Sequence, residues 1–386
     1  MPGTLIMGVE KIYETIILGG GAAGLMTAAQ LADPSEALLI EGNVQLGTKL
    51  LISGGGKCNI TNVSVTPEDY VPDAAFVAPA LRMFGSEAVI AWLRQRGLDP
   101  VIRKEGQYFC PESAQQIVTL LEKASRGVMR KMGCTIHGVE RTENGWRIQT
   151  SCGKFDAKKV VVATGGISFP RLGATDMGYR IAESIGHTIV PPRPALVGLT
   201  LQREQAFFKE LSGLSTPVQI TVAGKTISGN LLFAHRGISG PAVLDASLFW
   251  QKGRITIDWV PGFDWETLRG SKKQISTLLP VPRRMAKAFL EHLEIEDKAA
   301  KQLRSDEIAR LRSLCAYEMA PAGTFGYSKA EVTRGGVSVT EIDPKTMESL
   351  LAPGLYFVGE VLDVTGRLGG YNLQWAFSSS FACSHA

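Results

Sequence analysis

The six cysteines, at positions 58, 110, 134, 152, 315 and 383, include no C-x-x-C pair, and none lies beside a suitably spaced pair of histidines. That excludes the common zinc modules and a local dithiol redox centre, so no metal is expected. Six scattered thiols in a chain of this length read as reduced cysteines of a cytoplasmic protein. No run of 18 apolar residues occurs, so no helix is expected to span a membrane. Met1–Glu10 has no cationic stretch followed by an apolar run and a cleavage site, so no signal peptide is read there. Charge of one sign is scarce. The 41 Lys+Arg against 37 Asp+Glu leave +4, too small an excess to imply nucleic acid by itself. Internal repeats and low-complexity segments are absent.

Glycine, by contrast, is abundant: 42 of 386 residues, against a typical share of ~7%. With 45% apolar and 20% charged residues, the chain can bury a large core, and its length suggests two or three domains.

The first pattern is a β-α-β unit. The apolar strand Thr15–Leu18 runs into Gly19-Gly20-Gly21-Ala22-Ala23-Gly24. A small-residue helix follows over 25–32 and stops at Asp33-Pro34. A second buried strand, Ala37–Ile40, ends on Glu41. Residues 42–80 read as a loop. Helices are expected over 86–96 and over 114–132, the latter opened by a Ser113-x-x-Gln116 capping box. Short strands follow near 135–139 and 146–150, then the apolar strand Val160–Ala163 ending on Thr164-Gly165-Gly166. Composition shifts at Pro191–Pro194, a plausible boundary. Residues 195–260 read mostly as strand, including 218–223, 230–234 and 254–259. Residues 264–315 read as helical, with helices over 283–293 and 305–315. The chain then returns to a buried strand, Leu355–Val358, and a last small-residue helix.

Gly19-x-Gly21-x-x-Gly24 carries the dinucleotide fingerprint in its full context, after a strand and at the start of a helix. The first glycine permits the tight turn, the second lets backbone approach a pyrophosphate, and the third lets helix and strand pack closely. Ala22 and Ala23 lie between them. Glu41 stands where an acid accepts hydrogen bonds from a ribose 2′-hydroxyl and repels a 2′-phosphate. Two further segments resemble those of flavoproteins with this nucleotide fold, and so favour FAD over NAD: Thr164-Gly165-Gly166, and Gly359-Glu360 with Gly369-Gly370-Tyr371-Asn372-Leu373 at the start of the last helix, whose N-terminus would stabilise negative charge on a flavin ring.

The most specific segment is Lys49-Leu50-Leu51-Ile52-Ser53-Gly54-Gly55-Gly56-Lys57-Cys58-Asn59-Ile60-Thr61-Asn62. Through it the chain resembles the BaiN-type (YhiN-like) NAD(P)/FAD-dependent oxidoreductases, sometimes labelled aminoacetone-oxidase-like flavoproteins, whose pattern there is S-G-G-G-R-C-N-x-T-N. Lys57 replaces the family's arginine, keeping the charge and losing the planar fork. Leu232–Pro241, Thr333–Val337 and Gly359-Glu360-x-x-Asp363 support the match. Ser378-Ser379-Ser380 stands where the family suggests Ser-Gly. The resemblance implies an α/β chain with a Rossmann-like FAD-binding domain of the two-dinucleotide-binding type, discontinuous over 1–190 and 335–386. A β-barrel-like inserted domain over 191–263 and 316–334 would hold a nested helical subdomain over 264–315. Lys49, Gly56, Lys57, Cys58, Asn59, Val139, Asp363 and Gly370 join the expected cofactor residues.

The implied activity is hydride transfer between the flavin and a small organic substrate, an activated C=C bond or an amine, with NAD(P)H or O₂ as redox partner. Flavin carries the chemistry, so a catalytic triad is not expected. Cys58, His235 and Arg334 are the weak catalytic candidates, each with a packing or ion-pair alternative. Two other readings stay open: a flavin-dependent RNA-modifying enzyme and a non-catalytic FAD-binding protein. The ten cations between Lys272 and Arg312 are offset by six acids between 283 and 312. They read as a solvated mixed-charge face rather than an RNA surface. Nucleic acid is therefore not an expected partner, and oligomeric state stays open.

Overall fold

The computed structural model describes residues 11–103 and 105–386. The leading ten residues, read above as no signal peptide, lie outside them. The chain divides into two compact units, residues 1–193 with 332–386, and residues 194–331.

The first unit is built on a seven-stranded sheet. Strand β1 (Ile12–Leu18) runs parallel between β2 (Ala37–Ile40) and the long strand Gly153–Val162. That long strand serves two partners on its far side. Residues 153–157 pair antiparallel with Gly145–Thr150, and residues 160–162 pair parallel with Leu355–Phe357. Helix α1 (Ala22–Gln30) crosses over between β1 and β2. In register, Leu18 lies beside both Ile40 and Val162, and Val162 beside Phe357. Four parallel strands therefore end at one level of one edge. Their next residues are Gly19, Glu41, Ala163 and Val358. Ligands of open α/β sheets bind at this carboxyl edge.

Two expectations fail here. Residues 42–80 contain helix α2 (Thr48–Gly56), strand β3 (Asn59–Asn62) and helix α3 (Ala74–Met83). Asp73 caps α3, accepting from the N–H groups of Ala75 and Phe76 at 2.8 and 3.3 Å. The helix expected over 114–132 runs only from Gln115 to Ala124, and Met129–Lys131 instead forms an edge strand on β2. Gly127 interrupts the helical pattern, and strand pairing outweighs the remaining periodicity. One segment, Ala74–Arg94, is long and apolar enough to cross a membrane by composition. It is two helices, α3 and α4 (Ser86–Arg94), broken at Phe84 (φ −144°, ψ 71°). Phe76, Val77, Leu81, Val89, Ile90, Trp92 and Leu93 are all buried.

The second unit holds an antiparallel sheet of seven strands. Their order is Tyr317–Met319, Ile255–Asp258, Ser215–Val222, Lys225–Ala234, Gly237–Ser239, Leu199–Thr200 and Gly323–Thr324. The outermost two are joined by only residues 320–322, a link that reaches about 14 Å at most. Flat, seven strands would hold them about 29 Å apart. The sheet must therefore curl toward closure, which gives the barrel-like form. Strict alternation along 215–222 buries Val218, Ile220 and Val222 on one face. Phe208, Phe233, Trp259 and Phe289 fill the core. The stretch read as mostly strand also contains the helix Pro241–Phe249.

Candidate functional site

The site lies in the first unit, at the carboxyl edge of its sheet. Gly19 takes φ +108°, and a Cβ there would stand 2.6 Å from the Ala163 carbonyl oxygen. A Cβ at Gly24 would overlap the Gly19 carbonyl. Both glycines are thus demanded by the β1–α1 turn itself. Gly21 differs: its φ is −82°, and a Cβ would meet nothing within 4 Å. The space over Gly21 is left open at a helix N-terminus with no side-chain cap and no acid in its first turn. Such an end presents free N–H groups and positive potential to an anion.

Glu41 closes this turn from the side. One carboxylate oxygen accepts from the Gly20 N–H at 2.6 Å and the other from the Asn43 N–H at 2.7 Å. Each oxygen retains lone-pair capacity for a hydroxyl donor.

The three glycines that end α2, Gly54, Gly55 and Gly56, all take positive φ, and Cys58 follows at φ +49°. A Cβ at Gly54 would stand 2.8 Å from the Asn59 nitrogen. The Lys57 ammonium donates to the Glu112 carbonyl oxygen at 2.6 Å, a contact for which the lost arginine fork is immaterial. Lys49 reaches Glu360 at 2.7 Å and so ties α2 to the C-terminal segment. The other Glu360 oxygen accepts from the Thr333 N–H at 2.8 Å. The Thr333 hydroxyl accepts from the N–H groups of Ile167 and Ser168. Gly166 is held between them, since a Cβ there would strike Thr333 Oγ1 and Glu360 Oε1.

At the C-terminal side, Gly359 (φ +73°) packs its bare Cα against Ala23 of α1. Gly370 (φ +97°) opens the final helix, Tyr371–Ser384, against the backbone of Thr61. This N-terminus also lacks a side-chain cap and an acid. Its first turn, Tyr371, Asn372 and Leu373, is half-buried, whereas the rest is mostly buried. Asn372 grips the Gly366 backbone through both its amide oxygen and its nitrogen, each at 2.9 Å. It positions the helix end rather than offering a free amide. Asp363 accepts from the Gly335 N–H at 3.1 Å. Burial raises the Asp363 carboxyl, partly opposed by the Arg334 charge. Burial likewise lowers the Arg334 guanidinium, which Asp363 supports.

Two buried polar atoms of expected site residues have no hydrogen-bond partner among the described residues: Asn59 Oδ1 and Thr164 Oγ1. Buried polar atoms are normally satisfied. Together with the open space over Gly21, they make this edge fit a bound dinucleotide. Most expected cofactor residues therefore gather on one edge: Gly19, Gly21, Ala22, Ala23, Gly24, Glu41, Lys49, Gly56, Asn59, Thr164, Gly165, Gly166, Gly359, Glu360, Gly370 and Leu373. Val139 is buried in the strand Ile136–Thr142, the far end of the sheet from β2. It can offer a ligand only its main chain.

Of the catalytic candidates, Cys58 is fully buried. The pairing of Asn59 with Phe109 sets Cys110 opposite it, and the Cys110 N–H donates to the Cys58 carbonyl at 3.3 Å. The neighbouring Cys110 thiol and burial push the Cys58 thiol well up, so it stays protonated. Sequence spacing hid this partner, 52 residues away. His235 is exposed in the second unit, in the turn after Lys225–Ala234. Three serines that looked like a departure are buried hydrogen-bonding groups. The hydroxyls of Ser378 and Ser380 donate to the carbonyls of Phe84 and Ala23, and Ser379 accepts from the Gly359 N–H.

The family model described as HI0933-like protein Rossmann domain matches residues 13–386. A protein of Haemophilus influenzae named ribosomal RNA dihydrouridine synthase is 41% identical, covering 97% of this chain and 98% of its own. An Escherichia coli protein of the same name is 39% identical, covering 96% and 97%. A Clostridium scindens protein named 3-dehydro-bile acid delta(4,6)-reductase is 29% identical, covering 96% and 98%. Among solved structures, a flavocytochrome c3 fumarate reductase superposes with a TM-score of 0.50 at 16% identity, covering 98% of this chain and 78% of its own. The FrdA chain of E. coli quinol fumarate reductase does so with 0.52 at 14%, covering 96% and 69%. At such identities the likeness is one of fold.

Proposed function

The chain belongs to the HI0933-like family, and from that premise we propose that it is an FAD-dependent reductase that saturates the C5–C6 double bond of uridine in ribosomal RNA. The observation that carries this reading is end-to-end identity of 41% and 39% with two relatives named for that product. The chemistry supports it. The uracil C5–C6 bond is conjugated to a carbonyl, so C6 accepts hydride and C5 then takes a proton. A delta(4,6)-unsaturated 3-dehydro-bile acid, as in the name of the third relative, also presents C=C bonds conjugated to a ketone. Both are polarised alkenes, and the family's common step is read as addition of hydride and a proton across one.

Reduced FAD, when bound, supplies the hydride, with NADH or NADPH as the electron source. The chain's own groups bind and orient. The α1 N-terminus and Gly21 would hold the pyrophosphate, and Glu41 would accept from the adenosine ribose. The first-turn N–H groups of Tyr371–Ser384 would stabilise negative charge on a bound flavin ring. Arg334 follows Thr333 directly, beside Glu360 and Asp363. It is our candidate for polarising the carbonyl conjugated to the double bond.

The test is to incubate purified flavin-loaded protein with an unmodified ribosomal RNA transcript and NADPH, and to digest the RNA for mass spectrometry. A uridine gaining 2 Da is the expected result. Flavin that is reduced by NADPH and reoxidised by a small conjugated enone, with no mass gain in RNA, would refute the RNA substrate and favour a small-molecule one.

A further inference from the structure

The excess of positive charge is confined to one unit. Residues 194–331 hold 18 Lys+Arg against 14 Asp+Glu, while the flavin unit holds 23 of each. Within the second unit the charges segregate again. Toward the C-terminal side of the helical segment, three of the five cations are paired: Lys298 with Glu307, and both Arg304 and Arg310 with Asp306. Residues 267–290 contain six cations and no acid. Arg269 at their edge is paired with Glu266. Lys272, Lys273, Arg283, Arg284 and Lys287 are exposed, with no carboxylate within ion-pair distance among the described residues.

Arg283 and Arg284 begin the helix Arg283–His292, whose first turn holds no acid. Cations at a helix N-terminus oppose its dipole. The fold accepts that mismatch while keeping acids away. Neutral acceptors hold these side chains in a row. Arg283 donates to Gln274 Oε1 at 2.9 Å, and Arg284 to the Ser212 carbonyl at 3.0 Å. Ser212 Oγ in turn lies 3.2 Å from His235 Nδ1, and Arg236 follows in the same turn. Each guanidinium spends one of its five donors this way and keeps the rest for an anion.

We propose that this track, Lys272, Lys273, Arg283 and Arg284 continuing to His235 and Arg236, binds the phosphate backbone of RNA. It rests on the ribosomal RNA reading above, and it replaces the mixed-charge face expected from composition for this half of the helical segment. The contact is to phosphate, so it contributes affinity and orientation independent of base sequence. It also gives His235 a role away from the reacting bond.

The test uses the full-length flavin-loaded protein and a fluorescein-labelled 20-nucleotide RNA hairpin, titrated by anisotropy between 50 and 200 mM KCl. K272A/K273A/R283A/R284A should weaken binding more than tenfold at 100 mM and flatten the log–log salt slope by about 3, the loss expected for four phosphate contacts. K272R/K273R/R283K/R284K should keep both affinity and slope. K252A/R254A, elsewhere on the same unit, should change neither. Melting curves and flavin absorbance verify folding. The single variants R283Q and K273Q, each flattening the slope by about 0.8, carry the test if the quadruple variant fails to fold. If the wild-type protein reduces uridine in RNA while the alanine variant keeps its affinity and slope, the track is overturned and the function stands. If the wild type binds through the track without reducing uridine, the track stands and the reaction is wrong. If it neither binds nor reduces RNA, both fall.

Discussion

Gly21 and Gly24 belong to one motif, yet the structure assigns them different duties, and substituting each by alanine separates them. At Gly24 the new methyl would overlap the Gly19 carbonyl oxygen and stand 3.0 Å from its carbon. Both obstacles are backbone, so the helix must move off the strand. Overpacking of this kind costs about 3 kcal/mol. For a chain of 386 residues, which gains about 2.1 cal/mol/K of entropy per residue on unfolding, that lowers the melting temperature by roughly 4 °C, even without cofactor. At Gly21, φ is −82° and the methyl meets nothing within 4 Å. Alanine for glycine at a helix N-cap costs under about 1 kcal/mol, so apoprotein stability should stay nearly unchanged. The methyl instead occupies the space read as the pyrophosphate's. Losing about 2–3 kcal/mol of binding raises the FAD dissociation constant roughly 30- to 150-fold. Thermal melts of the apoproteins and calorimetric FAD titration read the two effects. A Gly21→Ala protein with wild-type FAD affinity, or a Gly24→Ala apoprotein with wild-type melting, would refute the division of labour.

Glu41→Arg should lose FAD, and Glu41→Gln should bind it about tenfold more weakly, since the amide keeps one acceptor and loses the charge. The ratio of absorbance at 450 and 280 nm after desalting reads both. Glu341 anchors the exit from the flavin unit, accepting from the Thr188 N–H and hydroxyl and facing His187 Nδ1 at 3.0 Å. Burial alone would raise its carboxyl, but the Thr188 and His187 bonds outweigh burial and hold it below its ordinary value. Its folded value is depressed, so its stabilisation is complete above the ordinary carboxylate range and lost as pH falls through the folded value. Glu341→Ala should cost about 2–3 kcal/mol at pH 7. Denaturant melts should show the gap to wild type narrowing toward pH 3.

The β-α-β unit was legible because its signals are local: an apolar run, three spaced glycines and an acid at the next strand end. The loop reading of 42–80 failed because α2 is short and ends in three glycines, which read as a breaker rather than as the end of a helix. The helix over 114–132 was drawn too long because apolar spacing continues past Gly127 although the chain does not. Within the site, residue types could be read but adjacency could not. Lys49 and Glu360 stand 311 residues apart, and nothing local predicts their contact. The Cys58–Cys110 juxtaposition likewise depends on strand register. The insert's composition averaged its charges toward neutrality. Only ion pairing in space separated the paired Lys298, Arg304 and Arg310 from the unpaired cations of 272–287.

The carboxyl edge that gathers Gly19–Gly24 with Gly359–Gly370 has a consequence in time. Ribosomes add about 5–20 residues per second, so the strand Leu355–Phe357 emerges tens of seconds after β1. Residues 194–331 are contiguous and have their own core, so they can fold during that wait. The flavin unit cannot complete its sheet or the helix Tyr371–Ser384 until that segment has emerged. Cofactor capture is thereby postponed until that C-terminal segment has left the ribosome. Ribosome-bound chains arrested before residue 355 should retain no FAD, and flavin fluorescence of purified nascent complexes would read this directly.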